Sequence, residues 1–226
     1  MRKIQIAIIM IAMADAMNAS AAITPPFTDE AKFLGAINSG YYLNEFNDLT
    51  PGDVEVDTST GSKNYSGGSG PFKYEISSSS GSKLWVPENL SPNLAISTFL
   101  PDDTLHIKFT SGNVTAVGGL FFLTNDTGED FGSGTVHVTL SDSTVVVDDF
   151  AASSFWGFVT SAGGPTITSL SFSNPNKGHA GYPTLDHFYV GTAVPVPSTY
   201  LAGLSALGIL GLFGFMSHKC LIPREL

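Results

Sequence analysis

The chain has 226 residues, a formal net charge of −10 and only 13% charged residues against 42% hydrophobic ones. An acidic balance of that size repels nucleic-acid phosphates and anionic lipid headgroups, so neither is an expected partner. The length allows one sizeable domain with flanking targeting segments, and the single cysteine, Cys220, lies outside that domain, so the fold must rest on its apolar core without a disulfide.

Arg2-Lys3 opens the chain with two positive charges, and Ile4 to Ala14 is apolar apart from Gln5. Asp15 ends the run, and Ala19-Ser20-Ala21 supplies small residues in an A-x-A pattern. The segment reads as a secretory signal peptide over residues 1–21, too short for a comfortable membrane span. An extracytoplasmic body over 22–193 follows. Setting aside 1–21 and 198–226 removes four positive and two negative charges, which leaves the rest near −12.

Thr28-Asp29-Glu30 can cap and charge a short helix carrying Ala31, Phe33, Leu34 and Ile37 and ending by Gly40. Beyond it the helical period disappears. Tyr41 to Phe46 reads as a strand, and Leu49-Thr50-Pro51-Gly52 turns the chain. Thr58 to Pro71 is Gly/Ser/Asn-rich and reads as a loop with a short strand near Tyr65. Phe72 to Ile76 alternates apolar and charged residues, the mark of a half-buried strand. Another strand begins at Lys83, before a Pro/Asn-rich connection.

From Leu105 the period-two signal strengthens. Leu105, Ile107 and Phe109 face one way, His106 and Lys108 the other. Val114 to Thr124 contains an apolar run suited to a strand buried on both faces, and Gly118-Gly119 within it points to a bulge or a close backbone approach. Asn125 to Gly134 is a polar hairpin loop. Strands are expected at 136–140, 144–150, 155–160, 167–172 and 185–190, with one break of parity between Ile167 and Leu170 as a bulge requires. Ten to thirteen short strands with frequent turns predict an all-β fold, a single β-sandwich.

Catalytic signals are lacking. The five histidines (106, 137, 179, 187 and 218) show no metal-ligand spacing, and the body offers no cysteine nucleophile and no Gly-x-Ser-x-Gly elbow, so no catalytic residue is assigned. The loop Asn125 to Asp130 gathers oxygen ligands of the kind Ca²⁺ takes, with Asp126, Glu129 and Asp130 as candidates, although it lacks EF-hand spacing and an acidic hairpin is the plainer reading. Trp85 and Trp156 are rings that could stack on sugars, with core packing the commoner fate. A pair of glycosidase carboxylates is invisible to sequence spacing, so a secreted glycoside hydrolase stands as the alternative function.

The tail is the most informative stretch. Val194-Pro-Val-Pro-Ser-Thr-Tyr200 leads into Tyr200 to Met216, seventeen residues without a charge. At 1.5 Å per residue such a helix spans about 25 Å, the short end of what crosses a bilayer core. Lys219 and Arg224 follow it, while 178–217 carry neither Lys nor Arg, which predicts a transmembrane helix at about 200–216 with the body on the non-cytoplasmic side.

This tail, Pro195-Val196-Pro197-Ser198-Thr199-Tyr200 with its Gly/Leu-rich segment and basic end, resembles the PEP-CTERM sorting tail. Members of that family usually carry Pro-Glu-Pro, and here Val196 stands in place of the central Glu. The resemblance covers roughly a ninth of the chain and implies export, anchoring by the helix within 194–226, and an exosortase-like processing enzyme as partner, in a setting of extracellular polysaccharide. Gly40 to Asn47, Thr115 to Thr124, Val138 to Asp142, Phe155 to Phe158 and Tyr182 to Asp186 look like the bodies of exported proteins bearing this tail, which are similar to jelly-roll domains. By that likeness Glu45 and Asp186, from the first and last strands, become candidates for a structural Ca²⁺. No other cofactor is implied. The combined expectation is a non-enzymatic surface or matrix protein with weak carbohydrate contact, or alternatively a Ca-dependent lectin-like module.

Overall fold

The computed structural model describes residues 26–54, 64–87, 94–150, 154–161, 163–176 and 181–195. The expected signal peptide, the motif residues Val196 to Tyr200 and the expected transmembrane helix lie outside the described residues. Among those described, no helix is long and apolar enough to cross a membrane.

The chain is mostly β, in two antiparallel sheets. The strands are β1 (Tyr42–Asn44), β2 (Gly52–Val54), β3 (Tyr65–Gly67), β4 (Tyr74–Ser78), β5 (Leu84–Val86), β6 (Ile96–Thr98), β7 (Leu105–Phe109), β8 (Ala116–Thr124), β9 (Asp130–Gly132), β10 (Gly134–Leu140), β11 (Val145–Phe150), β12 (Ser154–Val159), β13 (Ile167–Ser173) and β14 (Tyr182–Gly191). The larger sheet runs β12-β8-β14-β6-β5-β2, with β1 alongside β14 and β9 alongside β8, and the smaller runs β11-β10-β13-β7-β4-β3.

The two sheets face each other across one core. Alternation turns Ile76, Leu105, Ile107, Val136, Val138, Leu170 and Phe172 of the smaller sheet inward, against Val117, Phe121, Trp156, Phe158, Leu185 and Phe188 of the larger. Ring contacts cross the gap: Phe121 meets Phe172 edge-on at 5.7 Å, and Tyr74 meets Phe188 at 5.1 Å. The expected parity break is present, since Thr139 pairs with Ser169 but Leu140 with Ile167, leaving Thr168 as the extra residue.

Part of the outer side of the larger sheet is also buried. One helix, α1 (Glu30–Ala36), lies there, capped as expected by Asp29, whose carboxylate accepts the Lys32 N–H at 2.9 Å. Its Phe33 is fully buried against Ala116, Phe155, Val159 and Tyr189. Gly118 and Gly157 are cross-strand partners, and together they make the socket. A Cβ at Gly157 would stand 2.5 Å from Phe33 Cδ2, and one at Gly118 3.0 Å from Phe33 Cζ. The glycines expected to mark a close approach therefore admit a helix side chain to the sheet backbone.

Two further contacts close this face. Phe27 exchanges both backbone hydrogen bonds with Gly157, at 2.7 and 2.9 Å, and so covers part of the free edge of β12. Beyond the end of the helix Asn38 N–H donates to the Thr192 carbonyl at 2.9 Å and Val194 N–H to that of Ala36 at 3.0 Å.

Candidate functional site

The distinctive chemistry gathers on the outer face of the larger sheet, where β1 ends beside β14. Asn44 pairs with Phe188, and two residues near this point have left-handed backbones, Phe46 at φ +54° and His187 at φ +46°. Asn44 explains the first: its side-chain oxygen accepts the Phe46 N–H at 2.8 Å and folds the chain into a tight Asx turn. A bulge explains the second. Asp186 pairs with Leu120 but Tyr189 with Gly118, so β14 carries one extra residue here. Non-glycine residues in this region are strained, and such strain concentrates at functional sites.

The bulge keeps Asp186 on the outer side, as the pleat does Glu45. An imidazole stands between the two carboxylates proposed from the jelly-roll likeness. His187 Nε2 lies 3.8 Å from Glu45 Oε1, and Nδ1 lies 3.0 Å from Asp186 Oδ2. The second approach does not count as a hydrogen bond, and the buried Nδ1 has no hydrogen-bond partner among the described residues. Asp186 Oδ1 instead accepts the His187 backbone N–H at 2.6 Å. Burial pushes the Asp186 carboxyl above the usual carboxylate range, the neighbouring His187 pulls it part of the way back, and Glu45 adds repulsion. Close by, the Tyr189 hydroxyl donates to the Glu30 carboxylate of α1, and burial followed by that acceptor raises the phenol.

Beneath this point, on the inner side, the Asn44 amide donates to the hydroxyls of Tyr65 at 2.9 Å and Tyr74 at 2.7 Å. Tyr65 in turn donates to Asp48, 3.3 Å from each carboxylate oxygen. Burial drives the Tyr65 phenol up to about 12 against the pull of Asn44, and Tyr74 higher still. Both phenols remain neutral at any ordinary pH.

The loop candidates lie elsewhere and make a self-contained turn. Asn125 Oδ1 accepts from Thr127 N–H, Thr127 Oγ1 and Glu129 N–H, and the Asn125 amide donates to Glu129 Oε2 at 3.0 Å. Asp126 is exposed, and the side chain of Asp130 lies outside the description. Among the described residues no three His, Cys, Asp or Glu side chains converge as a metal would need. Asp103 was not singled out by sequence, yet it holds a tight cluster. Its carboxylate accepts from Ser78, from Ser79 at 3.3 Å, from Ser80 at 2.7 Å and from Ser82 at 2.8 Å. Burial pushes it up, but the four hydroxyls outweigh burial and hold it below the usual value.

The two tryptophans part company. Trp156 is sealed in the core, with its indole N–H donating to Asp148 at 2.8 Å. Trp85 alternates with buried Leu84 and Val86, stays half-buried on the outer face, and meets Tyr182 edge-on at 5.9 Å.

Compared with known proteins, the chain matches no family model, no curated sequence and no solved structure.

Proposed function

We propose that this chain is an exported, non-enzymatic cell-surface or matrix protein with a jelly-roll-like body, held by its C-terminal segment and making weak contact with carbohydrate. The observation that carries the reading is the tail: Val194 to Tyr200, then an uncharged stretch through Met216, then Lys219 and Arg224. The folded body supports it by ending where the tail begins. β14 closes at Gly191, and the last described backbone bond is from Val194 to Ala36, directly before Pro195. The two facing antiparallel sheets support the jelly-roll-like reading.

The full-length protein is expected to fractionate with membrane, with its body open to protease from the non-cytoplasmic side. Leu207→Arg should impair anchoring, at about 2.5–3.5 kcal/mol for a mid-helix charge. Deleting 198–226 should release a soluble body. If an exosortase-like enzyme acts on the tail, the mature mass lacks residues beyond about Pro197, and Val196→Glu increases that cleavage. A truncated body that stays in the membrane would defeat the anchoring argument, and sugar release from polysaccharide by the purified chain would defeat the non-enzymatic one.

A further inference from the structure

The helix α1 covers only part of the outer face of the larger sheet. On the remainder three aromatic rings come forward from three neighbouring strands or their ends. Trp85 is in β5 and pairs with Ser97 of β6, which pairs in turn with Thr184 of β14. Phe99 lies two residues beyond Ser97, and Tyr182 two residues before Thr184, so both follow the same antiparallel row outward. The contacts agree with that placement: Trp85 meets Tyr182 at 5.9 Å, and Lys83 Nζ sits 4.3 Å above the Phe99 ring. Phe99 is 41% exposed and its neighbour Leu100 42%, whereas most other large apolar side chains among the described residues are buried.

The floor beneath these rings is small, polar and fixed. Ser97, Thr184 and Thr124 are fully buried and bond among themselves at 2.9 Å per link, and Ser97 also donates to the Pro183 carbonyl. Being fully buried they do not meet a ligand, but they tie together the strands that present the rings. The Trp85 indole N–H and the Tyr182 hydroxyl have no hydrogen-bond partner among the described residues, so each ring offers an apolar plane together with an unspent polar tip.

We propose that Trp85 and Tyr182, flanked by Phe99 beneath Lys83, form a saccharide platform that stacks on the C–H face of uncharged pyranose units. This rests on the carbohydrate contact proposed above and names its site and sugar class. Exposed apolar side chains set among polar ones mark a binding surface, and here Phe99 and Leu100 are exposed while Trp85 and Tyr182 are half-buried. Planar rings with hydrogen-bonding edges suit a ligand that is apolar on one face and hydroxylated around its rim. The charge near −12 outside the two terminal segments selects against uronate-rich or sulfated polymers, leaving neutral ones.

The chain contains two tryptophans, of which Trp156 is sealed, so a saccharide-dependent change in indole fluorescence reports on Trp85. The test titrates the full-length chain in neutral detergent with dextran, laminarin and hydroxyethyl cellulose, and with alginate as the anionic control. It follows emission, acrylamide quenching and retardation in polysaccharide gels. A neutral glycan should shift the emission to the blue, shield it from acrylamide saturably and retard the protein, while alginate does none of these. Trp85→Ala should weaken retardation by about tenfold or more, the scale of losing an aromatic anchor, with Tyr182→Ser also weaker. His137→Ala, on the outer face of the other sheet, should change nothing, and melting curves on all variants verify folding. Neutral glycans bound equally well by folded Trp85→Ala and Tyr182→Ser would overturn the platform and leave the broader carbohydrate reading standing. Absence of binding to every glycan, including the case where Trp85→Ala only abolishes self-association, would overturn both.

Discussion

Asp103 and Asp186 are two buried carboxylates with opposite pH behaviour. Asp103 titrates below its usual value because serine hydroxyls stabilise its charged form. Its contribution is therefore complete above the unfolded value of about 4 and is lost as pH falls through the lower folded value. Asp103→Ala, which strands the four serines, should cost on the order of 1–3 kcal/mol at pH 7, with the urea midpoint converging on the wild type in strong acid. Asp186 titrates above its usual value because burial disfavours its charge. Its ionisation opposes folding, so stability falls as pH rises from the unfolded value through the raised one. Asp186→Asn keeps the oxygen that accepts the His187 N–H and removes the charge. It should be at least as stable as the wild type at pH 7, with a flatter pH profile by chemical denaturation. A marked loss instead would mean that pairing with His187 outweighs burial. From sequence Glu45 and Asp186 were named only as candidates for a structural Ca²⁺, through the jelly-roll likeness, and the structure places their carboxylates on either side of His187. His187 was not named, because in sequence it reads as one more alternating residue. Only the inserted residue in β14 turns its ring between the two acids.

Among elements, the docking of α1 on the larger sheet depends on an absence of side chains. Gly157→Ala should cost about 1–3 kcal/mol, because the new methyl meets Phe33 at 2.5 Å with sheet backbone behind it. Phe33→Ala should cost about 3–5 kcal/mol by emptying the socket. The double variant should lose clearly less than the two combined, since the methyl then occupies vacated space, and simple additivity in a double-mutant cycle would refute the socket. The helix itself was readable from Thr28-Asp29-Glu30 and its apolar spacing, and so were the strongly alternating strands β4, β7 and β10. β6 was not, because its three residues are all buried and follow a Pro/Asn-rich stretch, so they show no period. β9 was hidden in a polar loop. β14 begins earlier than expected because Pro183, which would normally bar a central strand, sits one residue inside its start.

At the scale of the whole molecule, stability comes from two apolar layers, one between the sheets and one beneath α1. The only cysteine lies in the tail, so reductant should leave the melting temperature of the body unchanged, and a shift on adding dithiothreitol would contradict that. Long-range pairing dominates, and refolding from urea should be slow for a chain of this size, on the order of milliseconds to seconds or longer.

The stitching of residues 36–38 to 192–194 bears on the order in which the chain can become structured as it is made. The helix emerges early, but its socket strands β8, β12 and β14 arrive some 80 to 160 residues later, and the pairing that seals the body needs Thr192 to Val194. A nascent chain of this design has no early native resting place for Phe33. The smaller sheet can pair as soon as β13 is made, whereas the layer beneath the helix and the closing bonds at Thr192 to Val194 can form only when synthesis of the body is almost finished.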